Sequence, residues 1–285
     1  MTEKVMNKEM PKISEDNDKY EFTDEYITVE IDGKKHTLYR IRAKKDIIVN
    51  GILVAKKGEL GGFIENEKNL DYRSNAWVSG DAKVFGDAQV YGNAKVYDDA
   101  WVFGNARVYD NSKVYENAAV HGNAQVSGNA RVLGNARVSG NATVYSNATV
   151  YGNAQVFGDA RVFDDAQVSG DAKVYDDAWV FGNAKVYDDA RVFGNAWVYG
   201  NAQVFGNAWV YGNAWVHGNA GVFGNARVFG NARVYDNAWV SGDARVHVNA
   251  RVSGNTRVSG DVDVTDIRSS GDITEGNYVK KAKRP

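Results

Sequence analysis

A six-residue phrase repeats without insertion or deletion across Asn75–Thr265 and dominates the sequence. Each copy contains Asn or Asp, a small residue, a variable residue, Val, a residue that is usually aromatic or Ser, and usually Gly. Thirty-two valines therefore follow one another at intervals of six, from Val78 to Val264. The small residue is Ala in every copy except those that contain Ser112, Thr256 and Val262.

The period of six predicts short β-strands separated by tight turns. A Gly in most copies would cost a helix about 1 kcal/mol each. In Ala-x-Val, the Ala and Val side chains point to one side and the variable residue points to the other, because side chains alternate along a strand. The Gly-Asn and Asp-Asp pairs that follow favour a turn, since Gly, Asn and Asp tolerate positive φ.

The copies must stack, because no single copy can bury its own Ala and Val. A core lined only by Val and Ala is narrow, which favours a tightly wound coil over a sandwich of two sheets. Three copies per coil close a triangle and give a structural repeat of 18 residues. At the ~4.8 Å spacing of hydrogen-bonded strands, the ten to eleven coils would make a rod roughly 50 Å long.

The repeats resemble those of the hexapeptide-repeat family, in which an aliphatic residue comes two positions after a small one. The resemblance covers about two-thirds of the chain, and it implies a left-handed parallel β-helix; the handedness comes from the resemblance and not from the spacing. The residue after the aliphatic one departs from the family, because here it is commonly Tyr or Phe. We therefore predict an all-β fold, a three-sided left-handed parallel β-helix with a small N-terminal β cap.

The segment before the repeats predicts such a cap. Alternating apolar residues around Asp32-Gly33 and Asn50-Gly51 indicate two β-hairpins, which would cover the unpaired edge of the first coil. The order Leu-Tyr-Arg-Ile-Arg-Ala, Lys-Lys-Gly-Glu-Leu-Gly-Gly-Phe-Ile-Glu and Asn-Ala-Trp-Val is similar to the start of YdcK-like hexapeptide proteins, which often carry an acyltransferase label. The expected divisions are a disordered arm over 1–19, the hairpin cap over 20–74, the β-helix over 75–265, and a C-terminal cap with a basic tail over 266–285.

Composition limits the classes of function. The net charge is −2, from 34 basic and 36 acidic residues, so the chain lacks the excess of positive charge that is typical of nucleic-acid-binding proteins. It contains no Cys, which excludes disulfides and Cys-based zinc sites. It has no long apolar run typical of a membrane span or signal peptide. We expect a cytoplasmic protein with no cofactor, no metal and no membrane association.

All seven Trp fall at the outward position between Ala and Val. Side chains 18 residues apart should share a face, so we predict a row of three Trp with Arg161 and Arg233 at its ends. Trp, Tyr and Arg are the usual anchors of interfaces, and contiguous exposed apolar surface often marks one. Stacked rings also stabilise a scaffold by about 0.5–1.5 kcal/mol per pair, so this surface has two interpretations. The candidate binding residues are Trp179, Trp197 and Trp215 in the row, Phe181, Tyr199 and His217 beside it, and Trp209 and Tyr211 on a neighbouring face.

The predicted partner of this surface is a protein or a second copy of the chain. A polysaccharide is the alternative, since sugar rings stack on indoles. Acidic corners such as Asp98-Asp99 lie between the basic outward residues; this pattern favours solubility and opposes the continuous phosphate contact that a nucleic acid needs. Corner pairs such as Asp159 and Asp177 would hold Ca²⁺ only weakly, because no loop completes the oxygen shell.

Catalysis in the resembled family usually needs a His base and an acyl-CoA pocket between neighbouring rods. The chain has four His, of which His36 lies before the repeats. His121, His217 and His247 occupy the position otherwise filled by Tyr, Phe or Ser, which stacking explains more simply. His121 is the candidate base, because Ala119 leaves space beside it. With no loop to wall a pocket, we predict no catalytic residue and a non-catalytic scaffold or binding protein; the alternative function is an acyltransferase that uses acyl-CoA.

Overall fold

The computed structural model describes residues 10–265, 268–269, 273 and 278–279. The part before the repeats contains strands β1 (Tyr20–Ile31), β2 (Lys34–Ala43), β3 (Ile47–Val49), β4 (Ile52–Ala55) and β5 (Leu60–Ile64), and a 3₁₀ turn (Glu67–Asn69). β1 and β2 form one antiparallel hairpin, and β3 and β4 form a second. In the described ranges no helix is long and apolar enough to cross a membrane.

The repeats form three parallel sheets, which are the three faces of a solenoid. The first face contains β5, Lys83–Val84, Trp101–Val102, Ala119–Val120, Arg137–Val138, Gln155–Val156, Lys173–Val174, Arg191–Val192, Trp209–Val210, Arg227–Val228, Arg245–His247, Asp263–Thr265 and Tyr278–Val279. The second face contains Gln89–Val90, Arg107–Val108, Gln125–Val126, Thr143–Val144, Arg161–Val162, Trp179–Val180, Trp197–Val198, Trp215–Val216, Arg233–Val234, Arg251–Val252 and Arg268–Ser269. The third face contains Trp77–Val78, Lys95–Val96, Lys113–Val114, Arg131–Val132, Thr149–Val150, Gln167–Val168, Lys185–Val186, Gln203–Val204, Gly221–Val222, Trp239–Val240 and Arg257–Val258.

Each strand of the repeats pairs with the strand 18 residues along the chain. Trp197, for example, pairs with Trp179 on one side and with Trp215 on the other. The predicted all-β solenoid with three strands per coil is confirmed, and the second and third faces of 11 strands each agree with the predicted number of coils. The left-handed sense stays a prediction.

The core contains the Ala and Val side chains, as the alternation predicts. From Ala76 to Val252 these side chains have no solvent exposure. Ser112, which replaces one Ala, is also fully buried, and its hydroxyl donates to the Tyr109 carbonyl at 2.7 Å. The repeat therefore buries a polar side chain only where a main-chain acceptor satisfies it.

The corners contain the residues with positive φ. Gly92 has φ of 70° and Asp98 has φ of 59°, which Gly and Asp tolerate best. The Asp98 carboxylate also accepts a hydrogen bond from the Glu116 N–H of the next coil at 3.2 Å. Asn side chains extend the stacking, since Asn93 Nδ2 donates to Asn111 Oδ1 at 3.0 Å.

The first coil begins earlier than the predicted boundary at residue 75. β5 pairs in parallel with Lys83–Val84, and Leu70 forms a parallel bridge with Val90. The segment over 60–74 thus belongs to the solenoid, although it lacks the six-residue phrase. The hairpin β1–β2 continues the first face beyond it, because β2 pairs with β5.

The disordered arm predicted for residues 1–19 does not extend to residue 19. Asn17 and Lys19 are 0% and 1% exposed. The Ser14 hydroxyl donates to the Glu67 carboxylate at 2.6 Å. Polar contacts with the 3₁₀ turn therefore order this part of the chain, and residues 1–9 lie outside the described ranges.

The predicted C-terminal cap and basic tail over 266–285 lie mostly outside the described residues. The described strands within them pair with the preceding coils: Arg268–Ser269 with Arg251–Val252, and Tyr278–Val279 with Val264 and Thr265. Ile273 forms a parallel bridge with Val258. These pairs add main-chain contacts at the C-terminal end of the rod.

Gly61 lies where the cap meets the first coil, and we expect Gly61→Ala to lower the free energy of unfolding by about 1–3 kcal/mol. A Cβ there would lie 2.6 Å from Ile41 Cγ1 and 2.8 Å from the Val78 carbonyl oxygen. Gly221→Ala is the matched control, because its Cβ would meet Trp239 at an ordinary 3.8 Å. Denaturant unfolding measures the difference, and two variants of equal stability would contradict the prediction.

Candidate functional site

The outward side chains of the second face form a continuous stack. The ring centroids of Trp179 and Trp197 lie 5.0 Å apart, those of Trp197 and Trp215 lie 5.2 Å apart, and the planes differ by 6° in each pair. The Arg161 guanidinium lies 4.8 Å from the Trp179 ring, and that of Arg233 lies 4.4 Å from the Trp215 ring. The row thus has a cation–π contact at each end. We call the three indoles the Trp row.

The stacking leaves the ring edges of the Trp row as its contact surface. Both faces of Trp197 are covered by the neighbouring indoles. The outer faces of Trp179 and Trp215 are covered by guanidinium groups. All three side chains are partly exposed. A ligand on this surface therefore meets indole edges between two positive charges.

A second column runs beside the Trp row. Phe181 lies 4.9 Å from Tyr199, and Tyr199 lies 4.7 Å from His217, with nearly parallel rings in each pair. Phe181 also meets Trp197 edge-to-face, at 6.1 Å and 76°. Burial lowers the pKa of His217, which keeps the imidazole neutral at pH 7 like the other rings in the column. The two columns form one apolar surface, which we call the Trp surface.

Trp209 and Tyr211 lie on the first face, as the spacing of 18 predicts. The Trp209 ring lies between the guanidinium groups of Arg191 and Arg227, at 5.0 Å and 4.9 Å. Tyr211 meets it edge-to-face at 6.5 Å. The structure therefore brings six of the eight candidate residues together and places these two on the adjacent face.

At the N-terminal end, the chain itself covers the outward aromatic residues of the first face. The covered rings belong to Phe85, Trp101 and Phe103, and Phe85 is only 1% exposed. Apolar residues of the hairpin β1–β2 pack against this cluster: Ile27, Val29, Ile31 and Leu38. The sequence analysis missed this contact, although the alternation within β1 indicated an apolar side that needed a partner.

Two other Trp residues differ sharply in exposure. Trp77 is 1% exposed and packs with Ile41 and Ala55 in the main core. Its Nε1 has no hydrogen-bond partner within the described part of the chain. Trp239, which lies over Gly221 on the same face, is 50% exposed. The outward position therefore does not by itself imply exposure, because the cap buries the first Trp.

The His residues within the repeats lie inside aromatic columns. His121 stacks on Phe103 at 4.8 Å, and burial lowers its pKa. His247 stacks on Phe229 at 4.6 Å, and its Nε2 contacts the Asp263 carboxylate. In these contacts the two imidazoles take the place of Tyr or Phe.

Corner carboxylates make local contacts. Asp159 Oδ1 accepts from Asn141 Nδ2 at 2.8 Å, and Asp81 Oδ1 accepts from Arg40 Nη2 at 2.9 Å. Over the residues that the structure describes, no group of three or more His, Asp or Glu is placed to hold a metal ion.

Comparison with known families agrees with this architecture. The model of the YdcK β-solenoid repeat family matches seven segments of the solenoid: 88–103, 124–139, 136–152, 154–170, 184–200, 202–218 and 232–247. No curated protein matches the chain significantly. The matched segments include most of the Trp surface, so this surface is built on repeats that are similar to those of YdcK-type β-solenoids.

Proposed function

We propose that the protein is a non-catalytic β-solenoid scaffold that binds a protein partner through the Trp surface. The observation that supports this most directly is the contact at the N-terminal end. There, Phe85, Trp101 and Phe103 hold the apolar side of the chain's own β-hairpin. The Trp surface offers the same kinds of side chain in the same register. A partner segment with an apolar side would find an equivalent, preformed surface.

The stacking geometry favours a polypeptide over a polysaccharide. A sugar ring stacks on an open aromatic face, whereas rings and guanidinium groups cover the faces within the Trp row. Indole edges and partly exposed Tyr and Phe rings suit contacts with apolar side chains. Arg161 and Arg233 form no ion pair with a described residue, so they remain available to acidic groups of the partner. A rigid surface also reduces the entropy lost on binding.

Substitution of Trp179, Trp197 and Trp215 by Thr together is expected to weaken partner binding at least about 100-fold, since buried Trp anchors dominate many interfaces. The partner is captured from the native host with the unaltered protein, identified by mass spectrometry and purified. Calorimetry with the purified partner then measures the loss. Far-ultraviolet circular dichroism should show an unchanged β spectrum, because Thr suits an outward strand position.

The matched control replaces three outward residues of the third face, Gln167, Lys185 and Gln203, by Thr. This control should bind the partner as the unaltered protein does. If the Trp variant also binds with unchanged affinity, the Trp row serves stability only and the proposal is wrong. Calorimetry with acetyl-CoA tests the acyltransferase alternative, and saturable binding that depends on His121 would favour it.

A further inference from the structure

The aromatic column of the second face has one missing ring. Tyr109, Ser127 and Tyr145 occupy the same position in three successive coils, because their strands pair in that order. Tyr109 stacks on Tyr91 at 5.0 Å on one side. Tyr145 stacks on Phe163 at 4.8 Å on the other. Each of the two tyrosines therefore turns one ring face toward the space above Ser127.

This gap has the size of one aromatic ring. Its bounding tyrosines are two strand spacings apart, or about 9.6 Å. The same column shows the filled arrangement, in which His217 lies 4.7 Å from Tyr199 and 5.2 Å from Tyr235. A ring above Ser127 would have the same two distances to its neighbours.

A cavity of about 510 Å³ opens at the gap. Short side chains, Ser127 and Thr143, form its floor, and Tyr109 and Tyr145 form its walls. The Tyr109 hydroxyl lies 3.3 Å from Gln125 Oε1, which holds this wall in place. The open ring faces distinguish the cavity from the Trp row, where stacking covers the rings.

Polar groups line the other side of the cavity. Asp159 and Arg161 reach it from the neighbouring corner and strand. Neither forms an ion pair with a described residue. A carboxylate and a guanidinium at this distance from a ring slot suit the N–H and C=O groups of a peptide main chain.

We propose that the gap above Ser127 is a slot for one Tyr or Phe side chain of a partner polypeptide, which stacks between Tyr109 and Tyr145. The inference extends the proposed function by naming what the partner inserts. It is argued from the column itself, because the equivalent positions in other coils hold Tyr, Phe or His. The peptide main chain beside the inserted ring would then contact Asp159 and Arg161.

N-acetyl-tyrosinamide is the probe for this slot. The Thr143 methyl group reports binding in a methyl-labelled NMR spectrum, because a ring stacked above Ser127 shifts its resonance. We expect saturable shifts with a dissociation constant on the order of 1 mM, since the probe gains only two stacking contacts. N-acetyl-leucinamide should give at least about fivefold smaller shifts at equal concentration, because it lacks the ring. Equal shifts from the two probes would overturn the proposal.

Ser127→Tyr fills the slot from within, so it should abolish the saturable shift of Thr143 and raise the melting temperature. Ser127→Phe repeats the test without a second hydroxyl. Ser127→Ala keeps the slot open and should bind the probe within about twofold of the unaltered protein. Columns are interrupted in the same way at Ser139 and Ser169, which is why a reporter next to Ser127 is needed. Unchanged Thr143 shifts in both filled variants would contradict the slot.

The slot and the Trp surface can fail separately. The triple Trp variant should bind N-acetyl-tyrosinamide normally, because the Trp row does not line the gap. Ser127→Tyr should weaken binding of the purified partner about tenfold or more, as loss of a buried aromatic anchor does. Full partner affinity in Ser127→Tyr would remove the slot from the interface, even if the Trp variant confirms the Trp surface.

Discussion

Removal of residues 1–59 is expected to convert the rod into end-to-end assemblies, because the first coil would lose the strands that cover its edge. In the intact chain, β2 pairs with β5. The Tyr20 hydroxyl donates to the Leu70 carbonyl at 2.9 Å, and the Lys19 ammonium donates to the Asp71 carbonyl at 2.8 Å. Without these partners, the exposed main-chain groups of the first coil would pair with another chain.

Size-exclusion chromatography with light scattering measures this change, and electron microscopy shows its form. A contact between the two different ends of a rod does not close, so it would build filaments. Removal of residues 1–9 alone is the control, because every cap contact described above remains. A protein lacking residues 1–59 that stays monodisperse with an intact β spectrum would show that the cap is not needed to block association.

The register of the solenoid could be predicted because the repeat leaves little choice. Only one set of side chains, Ala and Val, can face inward, and a shift by one residue would bury Lys, Arg and Trp instead. That constraint places Trp179, Trp197 and Trp215 in one row and Arg161 and Arg233 at its ends. The candidate site followed from the same arithmetic.

The contacts of the cap could not be predicted in this way. No repeat fixes where the hairpin β1–β2 lies, so the burial of Phe85 and Trp77 depends on packing between distant segments. The coil that begins at Leu60 lacks the phrase, although it pairs like the others. Ring geometry was equally hidden, because spacing gives the order of the indoles and not which of their faces are covered.

The gap above Ser127 lies between these cases. Its signal is present in the sequence as Tyr109, Ser127 and Tyr145 at intervals of 18. Ser is a common member of that position, and so it was treated as a variant of the repeat. Only the stacked rings on either side, and the cavity between them, indicate that the serine interrupts a column.

The free energy of unfolding is expected to rise between pH 7 and pH 9 because of Lys19. This side chain is 1% exposed, and burial lowers its pKa from 10.5 to about 7, against the opposing effect of the Asp71 carboxylate. In the window between these values the unfolded chain holds the proton and the folded chain releases it. Stability therefore increases with pH, by up to about 1.4 kcal/mol per pH unit.

The sign distinguishes this effect from that of an ordinary surface lysine. Below pH 7 the ammonium is charged in both states, so the full cost of its burial remains. The cost is relieved as pH rises through the folded pKa, and relief is complete above the unfolded value. His121 and His217, whose pKa values are lowered by burial, titrate below this window. The pKa of Tyr97 is raised to about 12, and it titrates above it.

Lys19→Met should remove the slope, because the methionine cannot titrate while it fills a similar volume. Urea unfolding at pH 7, 8 and 9 measures it, and the exposed Lys57→Met variant should keep the slope of the unaltered protein. The same slope in Lys19→Met would show that another group is responsible. Because Lys19 covers the first coil, its protonation should also favour opening of the cap. End-to-end association of the full chain should therefore increase as pH falls from 9 to 7, and Lys19→Met should lose that dependence.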